Sequence, residues 1–297
     1  MSTRTKVLIG LGTYVLLIAA MVIIFGATRA EDTGFAPQNE FKLDPWVDLP
    51  GPLDLNKAVF FVIVAGILMT VTMLYVANRM QARPNRVQTL VEVFFTAMRD
   101  NITKGNMDSR TAAKWFPFIG ALFLFIWFSN MLGYLPLPTN TEHKFSLFGL
   151  EIPSFAIYAA TANISVPLVL ALIVWLSYNA EGIRRKGFAG YLKGLVPAGV
   201  SGGMAAFIFV LELFSNIMRL VSLSVRLFAN ILAGHLLILF MSGALVVLLG
   251  IEAVGIVTLP AGVILFLFEI GLVATLQAFI FATLTAIYLG GAVAEEH

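Results

Sequence analysis

The chain has 297 residues, of which 59% are hydrophobic and only 12% charged, with a net charge of +2. Soluble domains carry about 25% charged residues, so this composition, with a mean hydropathy of +0.90, excludes an ordinary soluble globule and predicts an all-α integral membrane protein in a lipid bilayer. The small net charge offers nothing to nucleic acid, and the absence of cysteine excludes disulfides, thiolate catalysis and cysteine metal sites.

A helical span needs roughly 20 apolar residues. The first candidate is 7–27, within an N-terminal segment 1–30. Arg4 and Lys6 precede it, and Ala27-Thr28-Arg29-Ala30 follows, a loose likeness to a signal-peptidase site. The apolar stretch is longer than a usual leader core, which favours a retained span over a cleaved leader. Residues 28–57 are acidic, with Glu31, Asp32, Glu40, Asp44, Asp48 and Asp54. The part 31–57 is expected as an external loop, and 58–297 as a single membrane domain.

The next span is 58–77. After it, 79–114 carries Arg79, Arg83, Arg86, Arg99, Lys104, Arg110 and Lys114, which marks the cytoplasmic side. Within it Val87, Leu90, Val91, Phe94, Phe95 and Met98 recur at helical spacing. That predicts an amphipathic surface helix near 86–100. Spans 116–134 and 156–178 follow, joined by 135–155, which has a single lysine and is expected outside. Residues 179–200 carry Arg184, Arg185, Lys186 and Lys193 and read as a second cytoplasmic loop.

Two longer apolar runs close the chain, 204–250 and 251–291. A helix of 47 residues would be about 70 Å long against a hydrocarbon core of about 30 Å. Each run is therefore either two spans or one strongly tilted helix. Only Gly234 and Gly243 could turn the first run, and Pro260 could kink or start a helix in the second. The missing turns favour a hairpin of two long tilted helices, giving about five to six membrane helices in all.

The first long run is not purely apolar. Glu212, Asn216, Arg219, Arg226 and Asn230 have offsets of 4, 7, 14 and 18 from Glu212. At 100° per residue all fall within about 40° of one face, flanked by Ser222 and Gly234. His235 lies about 140° round from Glu212, and in the second run Glu269 and Gln277 are eight residues apart. Asparagine, serine and threonine often only bond helix to helix. A charge at the bilayer centre is different: it costs from about 2.5 to over 10 kcal/mol and so faces a partner or a wet cavity. Arg219 can snorkel or pair with Glu212. Arg226 has Ser222, Leu223, Ala229 and Asn230 one turn away, so its counter-ion must come from another helix or another chain. Arginine stays charged at physiological pH and cannot pass on a proton. His235 and Glu269 can exchange one near neutrality if their surroundings shift them. A fixed cation beside two titratable groups points to interrupted proton conduction. No Gly-rich phosphate loop is present, and the three histidines are far apart; neither a cofactor nor a metal is expected.

Ser-Leu-Ser-Val-Arg-Leu-Phe-Ala-Asn-Ile-Leu-Ala-Gly-His at 222–235, with Leu-Gln-Ala-Phe-Ile-Phe-Ala-Thr-Leu-Thr-Ala-Ile-Tyr-Leu at 276–289, resembles subunit a of the rotary F-type ATP synthases. Gln88, Thr89, Glu92 and Asn130-Met-Leu-Gly-Tyr-Leu-Pro136 extend the likeness, which covers about 45–297. The resemblance implies a proton channel of two half-channels, set against a ring of c proteolipid subunits. It also implies a place in the whole F1Fo complex beside b-type stalk subunits, in the bacterial cytoplasmic (inner) membrane. By the same resemblance Arg226 is the essential arginine opposite the c carboxylate. Asn230, His235, Glu269 and Gln277 line the outer half-channel, and Glu212 and Arg219 lie toward the inner one. Two departures stand out: Glu269 precedes Gln277 by eight residues where about seven is expected, and Asn163 stands where an acidic residue is common. A secondary transporter for an anionic substrate is the alternative, but it predicts inverted repeats and broken helices, which the sequence lacks. A purely structural protein would leave the polar stripe without a use.

Overall fold

The structure, a computed structural model, describes residues 45–47, 55–79, 86–135, 137–147, 150–156, 159–197, 200–241 and 255–294. The expected span 7–27 lies outside them. Two short strands, β1 (Pro45–Val47) and β2 (Leu55–Asn56), pair antiparallel. Helix α1 (Lys57–Arg79) follows at once, and the Asn56 side chain accepts the Val59 amide at 3.0 Å to close its first turn.

Helix α2 (Arg86–Thr96) runs on as a π-helix over Ala97–Thr103 and a last turn at Lys104–Asn106. Its 11 α-helical residues are too few to cross a bilayer. Phe94 packs on Phe123 and Trp127, with ring centroids 5.7 and 6.2 Å away, and Phe95 packs edge-on against Phe116. Asp108 then caps α3 (Ser109–Gly133), accepting the Thr111 amide at 3.1 Å. The helix begins seven residues before the apolar run 116–134, because a capping aspartate starts it rather than hydropathy.

The segment 137–156 holds a hairpin that hydropathy did not suggest: β3 (Leu137–Leu147) pairs antiparallel with β4 (Leu150–Ala156). Prolines 138 and 153 interrupt any plain alternation there. A 3₁₀ turn (Ala160–Ala162) leads into α4 (Ser165–Lys193). The expected span 156–178 therefore shifts: its first residue ends a strand. The expected basic loop 179–200 is also corrected, since α4 continues through it to Lys193. Helices outlast their apolar stretch when the emerging polar residues find partners, and here Glu181 and Arg185 do. Gly187, at φ 70° and ψ 161°, bends the chain where only glycine is unstrained.

Helix α5 (Gly203–Leu239) is one helix of 37 residues, about 55 Å long. Helix α6 (Gly255–Phe268) passes through a π-helix at Glu269–Val273 into α7 (Ala274–Val293) without a break. Over the described residues each long run is thus a single helix, and Pro260 lies inside α6 instead of dividing the run. A helix this much longer than the hydrocarbon core must tilt or protrude. Five helices among the described residues are long and apolar enough to cross a membrane: Ala58–Tyr75, Ser109–Gly133, Ser165–Lys193, Gly203–Leu239 and Pro260–Val293.

The chain forms two compact units, one of Leu43–Leu232 with Leu272–His297 and one of Met1–Lys42 with Ala233–Gly271. In the first, α7 packs against α3 and α4. Ala278, Ala282 and Ala286 of α7 are fully buried beside Phe123, Ile126, Val174 and the Leu227 and Ile231 of α5. Inside a bilayer lipid is as apolar as leucine, so close packing through such small residues, rather than hydrophobicity, holds helices together.

Candidate functional site

In the first unit the polar stripe of α5 divides by its surroundings. Asn216 is buried against α4: its carbonyl accepts Trp175 Nε1 at 3.1 Å, its side-chain oxygen accepts the Tyr178 hydroxyl, and its Nδ2 donates to Asn179 Oδ1 at 2.9 Å. Tyr191 donates to the same Asn179 oxygen at 2.7 Å. This five-residue network ties α4 to α5 and leaves its amides and hydroxyls matched. The sequence singled out Asn216 but missed Tyr178, Asn179 and Tyr191. Tyr178 is the last residue of the apolar run 156–178, and Asn179 and Tyr191 lie beyond it on the same helix without a periodic signal of their own.

Beside the network is a cavity of about 570 Å³, lined by Glu212, Arg219, Tyr178, Tyr191, Lys186 and Gly291 among others. Glu212 and Arg219 thus share one polar cavity. They form no ion pair; the Arg219 guanidinium lies over the Tyr288 ring, 5.5 Å from its centroid, a cation–π contact that steadies a partly buried charge.

One turn and more further along, the stripe turns outward. Ser222, Arg226 and Asn230 are exposed, while Leu223, Leu227 and Ile231 on the other side are buried. Exposure here means that this chain does not cover them. Among the described residues no carboxylate or hydrogen-bond acceptor pairs with Arg226. The amphipathic pattern explains the outcome: an i, i+4, i+8 face of serine, arginine and asparagine cannot pack into an apolar core.

Of the site residues expected from the sequence, Gln277 also falls in this unit; it is 3% exposed, and its Nε2 finds no acceptor among the described residues. Nearby, Asn130 holds α7 at its first residue. Its Nδ2 donates to the Ala274 carbonyl at 3.2 Å and its Oδ1 accepts the Thr161 hydroxyl at 2.8 Å. Asn163 acts locally, its side chain accepting the Ser165 amide at 3.0 Å at the start of α4.

In the second unit both titratable residues are buried. His235 is 3% exposed and Glu269 is 9% exposed. The Glu269 carboxylate rests directly on Gly234, the residue before His235. A Cβ built at Gly234 would stand 2.7 Å from Oε1 and closer still to Oε2. Glycine is the side chain that lets the carboxylate approach the helix backbone here. Glu269 opens the π-helix Glu269–Val273. A π-turn takes up one residue more than an α-turn and often marks a functional site, and this one lies between Glu269 and Gln277, which are eight residues apart. No hydropathy or periodicity signal could have located that turn.

Fold and site together define a multi-pass helical membrane protein with an exposed arginine that has no partner among the described residues, and with a buried histidine and a buried carboxylate. Residues 58–290 match the family model described as ATP synthase A chain. The chain is similar to "ATP synthase subunit a" of Maricaulis maris, 33% identical over 82% of this chain and 91% of that protein. It is 36% identical to the protein of the same name from Helicobacter pylori, over 80% of this chain and 89% of that one. With that of Parvibaculum lavamentivorans it shares 33% identity over 91% of this chain and the whole of the relative. The chain belongs to the ATP synthase A chain family.

Proposed function

We propose that the chain is the proton-translocating stator subunit of an F-type ATP synthase in a bacterial cytoplasmic membrane. It is not catalytic alone: it carries protons for a complex whose phosphoryl chemistry is done elsewhere. The observation that carries the reading is Arg226, a permanent cation on the exposed face of a membrane helix with no counter-charge among the described residues. A charge so placed is stable only against a partner. A carboxylate on a neighbouring proteolipid ring is that partner. In this reading Arg226 attracts the deprotonated carboxylate, and because it cannot give up its own proton it separates two aqueous paths.

The uptake path runs through His235, Glu269, Gln277 and Asn230. The seating of the Glu269 carboxylate on Gly234, the residue before His235, supports a relay between these two ionisable groups. The release path runs through the cavity that holds Glu212 and Arg219, with Ser222 between the two. Each elementary charge carried through 100 mV is worth about 2.3 kcal/mol, so a leak past Arg226 would waste the driving force directly. Purification of the tagged chain in mild detergent tests the assignment. It should bring down a proteolipid ring and b-type stalk subunits; recovery as a lone monomer or small homo-oligomer contradicts it and restores the reading of a transporter for an anionic substrate.

A further inference from the structure

Helix α4 does not run straight to its end. Asn179 and Tyr191 are 12 residues apart, about 18 Å on an unbroken helix. Yet the Tyr191 hydroxyl donates to Asn179 Oδ1 at 2.7 Å. Tyr191 also reaches Gly182: a Cβ built there would stand 2.6 Å from the Tyr191 ring. Both contacts exist because the chain turns back at Gly187, whose φ of 70° and ψ of 161° break the helix. Residues 188–197 are therefore an arm folded against the helix that carries it.

The arm walls the cavity of about 570 Å³ that holds Glu212 and Arg219. Tyr191, Gly194, Leu195 and Pro197 of the arm line it together with those two residues of α5 and Ala292 of α7. The arm's own backbone bonds are local. The amides of Gly194, Leu195 and Val196 donate to the carbonyls of Gly190, Leu192 and Lys193 at 2.9, 3.3 and 3.1 Å. Among the described residues, the one hydrogen bond from an arm side chain to the helices beneath it is that of Tyr191. A short body bonded within itself, turned at a glycine and pinned by one neutral hydrogen bond, opens at low cost compared with the helices around it.

We propose that residues 188–197 are a hinged cover over this cavity. Tyr191, latched on Asn179, is a positioning residue that holds the cover closed and limits the exchange of water with Glu212 and Arg219. The ring rests on Gly182 because any larger residue would lift it. The consequence for transport rests on the reading of this cavity as the release path: the cover then sets how readily a proton passes between Glu212 and the aqueous phase.

The chain has no cysteine, so Ala292→Cys places a single thiol in the cavity wall. Its reaction with a water-soluble maleimide, in vesicles containing the whole complex, reads the cover; mass spectrometry of the tagged chain measures the extent. Tyr191→Phe keeps the ring and loses the bond, and should speed labelling about fivefold. Tyr191→Ala loses both and should speed it by about tenfold or more; if it does not assemble, Tyr191→Leu decides in its place. Ser109→Cys, on the exposed first turn of α3, should label at one rate in every background. Equal labelling of Ala292→Cys with and without the Tyr191 hydroxyl would overturn the cover, and a parallel rise at Ser109→Cys would overturn the latch in favour of general loosening. Maleimide on Ala292→Cys should also stop ATP-driven acidification. Continued pumping by the fully labelled complex would refute the release path, while the labelling rates would still uphold the cover.

Discussion

Two charged residues in the membrane helices of this chain meet opposite fates. The Glu181 side chain is 6% exposed, yet it is saturated from within: Lys114 Nζ lies 2.6 Å from one oxygen and 2.7 Å from the other, and Arg185 Nε is 3.4 Å away. It closes α3 onto α4 and needs nothing further. Arg226 lies on an exposed face, and among the described residues nothing answers its charge. A charge satisfied inside its own chain is structural; a charge left open on a membrane-facing helix is held for a partner. The same contrast separates Asn216, locked in its network, from Asn230 on the open face.

If this division is right, the two residues should break in different ways. The largest effect is expected at Arg226. Arg226→Lys keeps a positive charge but loses the planar fork and gains a proton that can leave. It should abolish ATP-driven pumping while the complex still assembles; pumping near the wild-type rate would show that charge alone suffices. Glu181→Ala should do the reverse, lowering stability by about 1–3 kcal/mol, discounted for the half-exposed partners Lys114 and Arg185. Thermal unfolding in detergent measures it, and a variant that assembles normally but cannot pump would contradict a structural role.

Next comes the relay. Glu269→Gln keeps shape and removes the titratable proton, so it should slow pumping several-fold with assembly intact; an unchanged initial rate of acidification would end the relay assignment. Gly234→Ala should slow it too, because the new methyl overlaps the Glu269 carboxylate. A variant with full rate would show that the close seating is incidental. The smallest effect belongs to Asp108. The Thr111 hydroxyl, then its amide, hold this carboxyl below the usual range. A depressed value stabilises the fold above the unfolded pKa of about 3.9, and the contribution disappears as pH falls through the folded value. Asp108→Ala should therefore cost at most about 1 kcal/mol at neutral pH and less in acid, with Asp108→Asn largely sparing the cap.

Much of this was legible in the sequence because a bilayer leaves few options. Hydropathy located four of the five described spans to within a few residues at one end or the other and, through the missing turns, favoured one helix per long run. What it could not see was polar structure. Asp108 starts α3 and Glu181 prolongs α4 through contacts made only after folding, so both helices outrun their apolar stretches. The hairpin of β3 and β4 carries no clean alternation. At the site, the lack of an acid one turn from Arg226 pointed to a counter-ion on another helix or another chain, without choosing between them; the exposed face of Arg226 came only with the fold. So did the turn at Glu269–Val273, because a π-helix is a local choice between nearly equal hydrogen-bond registers.

The central claim is that Arg226 awaits a carboxylate from another chain and gates the transport step. The most direct test is ATP-driven acidification of inverted membrane vesicles containing the complex with either the wild-type chain or Arg226→Ala. The account predicts lost pumping in a complex whose ring and stalk subunits are all present. Undiminished acidification by the alanine variant would contradict it.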